Sequence, residues 1–126
     1  MPARVKIASY RDLLVWQKGM DLVVRSYELS RRFPPSETYG LAAQIQRSAV
    51  SIPANIAEGH GRRHMGDYLH HLSVANGSLK ELETHFLIAK RLGLLKGDDV
   101  ELVLALSEEL GRMLSGLARS LRQAST

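Results

Sequence analysis

The sequence predicts an all-α fold: a single antiparallel four-helix bundle with an up-down-up-down order of helices. Four segments carry apolar residues at intervals of three and four, a spacing that gathers side chains on one helical face. Proline and glycine residues separate the segments, and no stretch alternates between apolar and polar residues as a strand would. The 126 residues are the usual length of one domain. We therefore expect one bundle domain over residues 1–126.

The first helix is predicted from about residue 10 to residue 33, where Pro34 and Pro35 stop it because proline lacks an amide donor. Its main apolar stripe is predicted to consist of Leu13, Trp16, Met20, Val23 and Tyr27. A second stripe with seven-residue spacing consists of Val15, Leu22 and Leu29. Two stripes predict that this helix contacts more than one neighbour.

The second helix is predicted over residues 36–58, with Ser36 or Thr38 as its N-terminal cap. Its apolar face consists of Leu41, Ile45, Ala49, Ile52 and Ile56. Pro53 falls inside this pattern and is expected to kink the helix, because it removes the hydrogen bond to the carbonyl of Ala49. Gly59 and Gly61 are expected to end the helix.

The third and fourth helices are predicted over residues 65–92 and 98–122. The third has the longest regular stripe, made of Leu69, Leu72, Ala75, Leu79, Leu82, Phe86 and Ala89. The stripe of the fourth consists of Val103, Leu106, Leu110, Met113, Leu117 and Leu121, and Leu102, Leu104 and Leu114 lie outside it. Because one stripe per helix suffices for a monomer, the extra apolar residues predict self-association. The alternative is that the apolar faces are simply broad.

The net charge is +4, and it is unevenly distributed along the chain. Residues 1–63 hold 10 Lys and Arg against 5 Asp and Glu, whereas residues 64–126 hold 7 against 8. A basic half favours an anionic partner such as nucleic acid. The absence of cysteine excludes disulfides, thiolate zinc sites and thiol nucleophiles. The sequence has neither a signal-like start nor an apolar run of about 18 residues. We therefore expect a cytoplasmic location and no membrane association.

A polar stripe runs beside the apolar face of the second helix and consists of Gln44, Arg47, Ser51, Asn55 and Glu58. This stripe would suit a seam that faces another subunit or an anionic ligand. Alternatively, Ser51 and Asn55 satisfy backbone groups that Pro53 frees. We favour the second interpretation, because a buried carbonyl without its hydrogen bond needs a partner.

The densest motif of the chain comprises Ser51, Pro53, Asn55, Glu58, Gly59 and Gly61. With it, the sequence closely resembles the family of four-helix-bundle proteins encoded by intervening sequences in bacterial large-subunit ribosomal RNA genes. The resemblance extends over nearly the whole chain, through residues 14–18, 32–34, 39–41, 44–45, 47–49, 51–59, 61–62, 77–79, 81–84 and 89–90. One departure is His60, because an aromatic residue is common at this position in the family.

The resemblance implies an antiparallel four-helix bundle that assembles as a ring of five. A relative, the accessory protein of diversity-generating retroelements, is a similar basic pentamer that works with a reverse transcriptase and nucleic acid. The intervening-sequence members have no established biochemical activity. The resemblance therefore implies a fold and a homopentamer, and it leaves the function open.

The glycine-rich segment 58–64 contains Arg62 and Arg63, which are candidates for contacts with phosphates. The segment is not a nucleotide-hydrolysing P-loop, because it follows a helix and lacks the closing Lys-Ser/Thr pair. The alternative is a solvated turn.

Helix 1 offers a second group of cations, because Arg11, Lys18, Arg25 and Arg32 lie seven residues apart and share one face. Asp21 and Glu28 alternate with Lys18 and Arg25, so this face is expected to be laced with salt bridges. Arg31 is left free to add positive charge.

Metal and catalytic sites are not expected. The five histidines lack the Glu-x-x-His spacing of bundle-type metal centres. No residue pattern nominates a Ser-His-Asp group either, so we predict no enzyme, no metal and no cofactor.

These observations predict a non-enzymatic homo-oligomer that binds RNA or DNA through phosphate contacts. The candidate residues are Arg62, Arg63 and Arg47, with support from Lys18, Arg25 and Arg31. The competing hypothesis is a scaffold that binds a protein partner through the extra apolar stripes.

Overall fold

A computed structural model describes residues 6–124 and contains four α-helices and no strand within that range. The helices are α1 (Leu14–Ser30), α2 (Leu41–His60), α3 (Met65–Arg91) and α4 (Gly97–Ala124). Short 3-10 helices precede α1 and α2, at Tyr10–Asp12 and Pro35–Glu37. The all-α prediction of four helices is confirmed.

The first two helices are shorter at their starts than the sequence predicts. A 3-10 turn capped by Ser9 occupies the predicted start of helix 1, and Leu13 has extended backbone before α1 begins. The predicted capping of helix 2 by Ser36 or Thr38 is wrong, since the N-cap of α2 is Gly40 and no side chain caps it. The two consecutive prolines favour a tight turn here, which delays the α-helix until Leu41.

Cross-helix contacts establish the antiparallel arrangement. Between α1 and α2, a side-chain hydrogen bond of 3.1 Å joins Ser30 to Gln46, near the end of one helix and the start of the other. Between α3 and α4, the Ser107 hydroxyl donates to Glu83 at 2.7 Å. Each helix packs against two others in the order α1, α2, α3, α4 and back to α1, with no diagonal packing among the described residues.

The core stripe of α1 differs from the main stripe that the sequence predicts. Val15, Leu22 and Leu29 are buried, whereas Met20 is 39% exposed and Trp16, Val23 and Tyr27 are only partly covered. Two small buried residues, Gly19 and Ser26, complete the core stripe. Because neither residue has an apolar side chain, the pattern of apolar residues in the sequence does not reveal this stripe.

The other predicted stripes agree better with the core. In α2, Ile45, Ala49, Ile52 and Ile56 are fully buried, and six of the seven stripe residues of α3 are buried, all except Leu69. In α4, Leu114 is buried although it lies outside the predicted stripe, and Leu102 is 47% exposed.

Two glycine-dependent contacts bring α2 close to its neighbours. A Cβ atom on Gly19 of α1 would lie 3.4 Å from the Cβ of Pro53, so the buried proline packs directly on α1. The helix α2 runs unbroken through Pro53. At Gly59, an added Cβ would lie only 2.7 Å from the Cβ of His71 in α3 and 3.3 Å from the backbone carbonyl oxygen of Tyr68.

Gly59 and Gly61 therefore do not share the role that the sequence predicts for both, which is to end the second helix. Gly59 lies inside α2 and does not end it, and its missing side chain permits the close approach of α3. Gly61 caps α2 as predicted, but with a right-handed φ of −79° that any residue adopts.

Substitution of Gly59 by Ala is expected to destabilise the fold by about 1–3 kcal/mol, because the new methyl group forces α2 and α3 apart. The matched control is Gly77→Ala in α3, where a Cβ would meet nothing within 4 Å. This control is expected to stabilise the helix by about 0.5–1 kcal/mol. The free energy of unfolding from urea titrations measures both, and equal effects of the two variants would contradict the close approach.

Candidate nucleic-acid interface

The polar stripe of α2 divides into an inner and an outer part. Ser51 and Asn55 are half-buried and face α3. The Ser51 and Ser78 hydroxyls lie 2.8 Å apart, and the Asn55 carbonyl oxygen lies 3.0 Å from Nδ1 of His71. The Asn55 amide also donates to the hydroxyl and the backbone carbonyl of Ser51, at 3.0 and 2.8 Å. We call these four side chains the α2–α3 polar seam.

The seam joins α2 to α3, and its hydrogen bonds differ from the predicted ones. The carbonyl that Pro53 frees belongs to Ala49, whereas the Asn55 amide bonds the carbonyl of Ser51. The seam instead gives polar side chains partners at the contact between two helices, where leaving them unpaired would be costly. The sequence signal for the α3 side was the seven-residue spacing of His71 and Ser78, which is one face of a helix.

The outer part of the stripe reaches solvent. Gln44, Arg47 and Glu58 are exposed. Glu58 forms an ion pair of 2.8 Å with Arg62. The glutamate of the motif therefore engages one of the two arginines that follow α2, Arg62 and Arg63. Arg47 makes no ion pair or hydrogen bond with any described residue and remains available to a partner.

The connection between α2 and α3, residues 61–64, forms an exposed basic elbow. Arg63 is exposed and makes no ion pair within residues 6–124. Next to the elbow, the ring of His60 packs edge-on against Tyr68 with centroids 5.9 Å apart, which gives His60 a packing role. Burial raises the pKa of the Tyr68 hydroxyl. This phenol stays neutral beside the elbow and adds no negative charge there.

The N-terminal segment supplies a further carboxylate, Asp12, at this end of the bundle. Backbone N–H groups of Ser9 and Ala8 donate to Asp12 at 3.0 and 2.9 Å. These hydrogen bonds lower the pKa of the Asp12 carboxyl, with a smaller contribution from the nearby His60. Asp12 is thus committed to capping the 3-10 turn.

The cations of α1 pair with α4 more than with their own helix. Lys18 lies 3.6 Å from Glu109, and Arg25 lies 3.7 Å from Asp99 as well as 3.3 Å from Glu28. Arg32 lies 3.0 Å from the other oxygen of Asp99. Salt bridges occur on this face as predicted, but most of them join α1 to α4. Lys18 and Arg25 are consequently engaged inside the chain.

Arg31 lies at the end of α1, exposed and over the ring of Tyr27 at 5.6 Å from its centroid. The six candidate cations are therefore not brought together. Lys18, Arg25 and Arg62 have carboxylate partners, and Arg31 and Arg47 lie toward the opposite end of the bundle from Arg63.

The charge also differs between the two ends of the bundle. One end, which we call the basic end, consists of residues 6–13, 57–68 and 117–124. It holds six Lys or Arg against three Asp or Glu, and it also holds His60 and His64. The opposite end, residues 27–44 and 88–104, holds five against five. The positive field thus concentrates where the elbow meets the C-terminal turns of α4.

Among residues 6–124, no group of three or more His, Cys, Asp or Glu side chains is placed to hold a metal ion. His85 lies 3.3 Å from Glu81, and His71 bonds Asn55. No helix in this part of the chain is long and apolar enough to span a membrane.

The four antiparallel helices and the basic elbow define a class of small helical bundle proteins with one charged end. The chain matches the family model described as 23S rRNA-intervening sequence protein over residues 11–116. Because the match covers well over half of the chain, the protein belongs to this family. No curated protein matches the chain.

A solved structure supports the fold. The chain is similar to a protein of unknown function from the S23 ribosomal protein family of Bacteroides thetaiotaomicron VPI-5482, with a TM-score of 0.78 and 24% identity. The similarity covers 83% of this chain and 98% of that one. At this identity the likeness shows the shared four-helix fold and carries no functional assignment.

Removal of the Asn55 side chain is expected to destabilise the protein by about 1–3 kcal/mol, because it leaves the Ser51 hydroxyl and the His71 ring short of a partner. The control is Gln44→Ala, an exposed position on the same helix, where the change should stay within about 0.5 kcal/mol. Chemical denaturation of Asn55→Ala and Gln44→Ala measures the difference. An unfolding free energy for Asn55→Ala equal to that of the wild type would contradict the structural role of the seam.

Proposed function

We propose that this protein is a non-enzymatic nucleic-acid-binding protein that contacts the phosphate backbone of RNA or DNA through its basic end. The observation that carries the proposal is the exposed elbow: Arg63 makes no ion pair or hydrogen bond with any residue in the range 6–124, and it lies at the end of the bundle where cations outnumber carboxylates two to one. Unpaired, exposed arginines are suited to phosphate oxygens, which they bind in a fork geometry.

The proposed contact reads the phosphate backbone and not the bases. The elbow is a short connection and presents no helix or strand long enough to enter a groove and read base edges. Arg62 contributes by exchanging its Glu58 partner for phosphate, whereas Lys18 and Arg25 serve mainly to hold α1 against α4. Arg47 and Arg31 are placed to add charge elsewhere on the surface.

The absence of catalysis is part of the proposal. The nearest resemblance to a catalytic group is the α2–α3 polar seam, where His71 bonds an amide oxygen and not a serine hydroxyl. A histidine that cannot reach the hydroxyl does not act as its general base.

Binding is expected to weaken steeply with salt, because each neutralised phosphate releases counterions. Fluorescence anisotropy of labelled single-stranded RNA, single-stranded DNA and duplex DNA across a salt series measures this. The double variant Arg62→Ala/Arg63→Ala is expected to lose about tenfold in affinity, the equivalent of about one charge-assisted hydrogen bond.

The matched control is Lys18→Ala/Arg25→Ala, which removes the same charge from the α1–α4 face. It is expected to lower the unfolding free energy and to keep most of the affinity. Absence of any complex with the wild-type protein at low salt would overturn the proposed function.

We further propose that the chain assembles as a ring of five. Support comes from apolar side chains on the outer face of α1 and α2, where Met20, Val24 and Val50 are 39%, 56% and 43% exposed. The contact of Gly19 with Pro53 places Val24 and Val50 at similar heights along these two antiparallel helices. Five copies at +4 each would carry about +20, a field that attracts polyanions.

The same apolar face also supports the alternative of a scaffold for a protein partner. The two hypotheses separate in a pull-down with nuclease treatment. A scaffold keeps its partner after nuclease digestion, whereas a nucleic-acid-mediated complex dissociates.

Sedimentation equilibrium tests the assembly. Five chains of 14.0 kDa give a particle of 70 kDa. The variant Val24→Lys is expected to shift the protein toward smaller species, because it places a charge in an apolar contact. The control Ser36→Lys adds the same charge at an exposed turn. A wild-type species of 14.0 kDa at micromolar concentration would contradict the ring.

A further inference from the structure

A groove lined by both polar and apolar side chains runs along the surface between α3 and α4 on the half of the bundle nearer the basic end. It consists of two adjoining hollows of about 300 and 670 Å³ that share Asn76, Ser115 and Arg119. Arg122 lines the hollow nearer the basic end, and Arg112 lines the other. The groove therefore begins close to the elbow and continues toward the middle of the bundle.

Small residues of α4 create the groove. Gly111, Ser115 and Gly116 line its floor and wall, and a Cβ atom on Gly116 would meet nothing within 4 Å. Across the groove, α3 contributes the polar side chains Ser73 and Asn76. The lining holds hydrogen-bonding groups and no aromatic ring.

Two of the arginines in the groove are available to a ligand. Arg112 and Arg119 are exposed, and neither makes an ion pair or hydrogen bond with another described residue. They lie seven residues apart, so they share a face of α4 at about 10 Å spacing along the axis. Arg119 and Arg122 also lie near the C-terminus of α4, where positive charge interacts favourably with the helix dipole. Because the dipole already accounts for these cations, the sequence alone does not indicate that they bind a ligand.

One carboxylate, Glu108, also lines the groove, at its end remote from the elbow. Lys80 lines the same end and is paired with Glu83 at 3.6 Å. The positive charge of the groove is therefore strongest at Arg119 and Arg122, on the side of the elbow. Arg122, Arg119 and Arg112 thus follow one another along α4 with increasing distance from the basic end.

We propose that the α3–α4 groove is a binding site for a single strand of nucleic acid, held by its phosphates on Arg112 and Arg119. This inference rests on the proposed function and extends it from the elbow to a defined track. A single strand is flexible enough to follow the surface of the groove, whereas a duplex is stiff and bends to follow it only at an energetic cost. No aromatic ring lines the groove for bases to stack on, so the contacts are with phosphates, which carry no sequence information, and binding tolerates different sequences.

Residues 112–122 extend over about 15 Å of α4 at 1.5 Å per residue. At roughly 3.4 Å per phosphate, the spacing along one strand of a duplex, that length corresponds to about four phosphates. An extended strand places fewer phosphates over the same length. The polar side chains Ser73, Asn76 and Ser115 are placed to bond sugar hydroxyls or phosphate oxygens between the arginines.

The test compares Arg112→Ala/Arg119→Ala with a charge-matched control, Lys90→Ala/Arg91→Ala, whose residues are exposed at the other end of the bundle. A fluorescein-labelled oligo-uridine is the probe, and a hairpin duplex is the competitor. The groove variant is expected to lose about tenfold or more in affinity at low salt. The slope of log affinity against log salt should become shallower by about 1.4, since each contact to a single strand contributes about 0.7.

The control variant is expected to bind as the wild type does, and unfolding curves check that both variants fold. Wild-type affinity and slope in Arg112→Ala/Arg119→Ala would overturn the groove assignment while leaving the elbow proposal in place. Equal losses in the two double variants would also overturn it, because net charge alone would then explain binding. Equal competition by the duplex would overturn the assignment to a single strand. If the wild type binds no probe at all, the proposed function fails and this inference fails with it.

Discussion

The close approach of α2 to α3 is the constraint on which the rest of the molecule depends. Gly59 allows the two backbones to approach, because any side chain there would collide with the Cβ of His71. The polar seam of Ser51, Asn55, His71 and Ser78 then fixes the register between these helices with directional hydrogen bonds. Apolar packing alone leaves such a register weakly specified, because it is not directional. The elbow is short and exposed because the helices on either side of it are held so closely.

A second set of contacts closes the bundle on the opposite side and decides which cations remain free. Asp99 at the start of α4 pairs with Arg25 of α1 and with Arg32, which follows α1, and Glu109 pairs with Lys18. These partly exposed pairs contribute modestly to stability. Their larger consequence is for function, because they occupy the cations of α1. Among the arginines that have no carboxylate partner within residues 6–124, Arg63 lies on the elbow and Arg112 and Arg119 lie along α4, whereas Arg31 and Arg47 lie toward the other end.

Much of the fold could be predicted from the sequence where apolar residues alone make the core. The stripes of α2 and α3 are of this kind, and Ile45, Ile52 and Phe86 are fully buried as expected. The stripe of α1 was misjudged, because Gly19 and Ser26 are core residues without an apolar side chain and their burial depends on tertiary contacts. The start of α2 was misplaced by four or more residues, because a 3-10 turn after two prolines resembles the first turn of a helix in sequence.

The candidate site was less predictable, for a physical reason. A list of basic residues does not say which carboxylate each one meets across a helix pair, so Lys18 and Arg25 looked like candidates of the same kind as Arg63. Similarly, Arg112 and Arg119 are recognisable as a pair only once the small residues of α4 are seen to leave a groove beside them.

The central claim is that nucleic acid binds at the basic end, on the elbow and along α4. Hydrogen–deuterium exchange of the wild-type protein with and without oligo-uridine tests this most directly, since it locates the contact without any substitution. We expect slower exchange in residues 61–68 and in the C-terminal half of α4, with little change in residues 14–30. Protection confined to α1 and the outer face of α2, or no protection at a saturating oligonucleotide concentration, would contradict the claim.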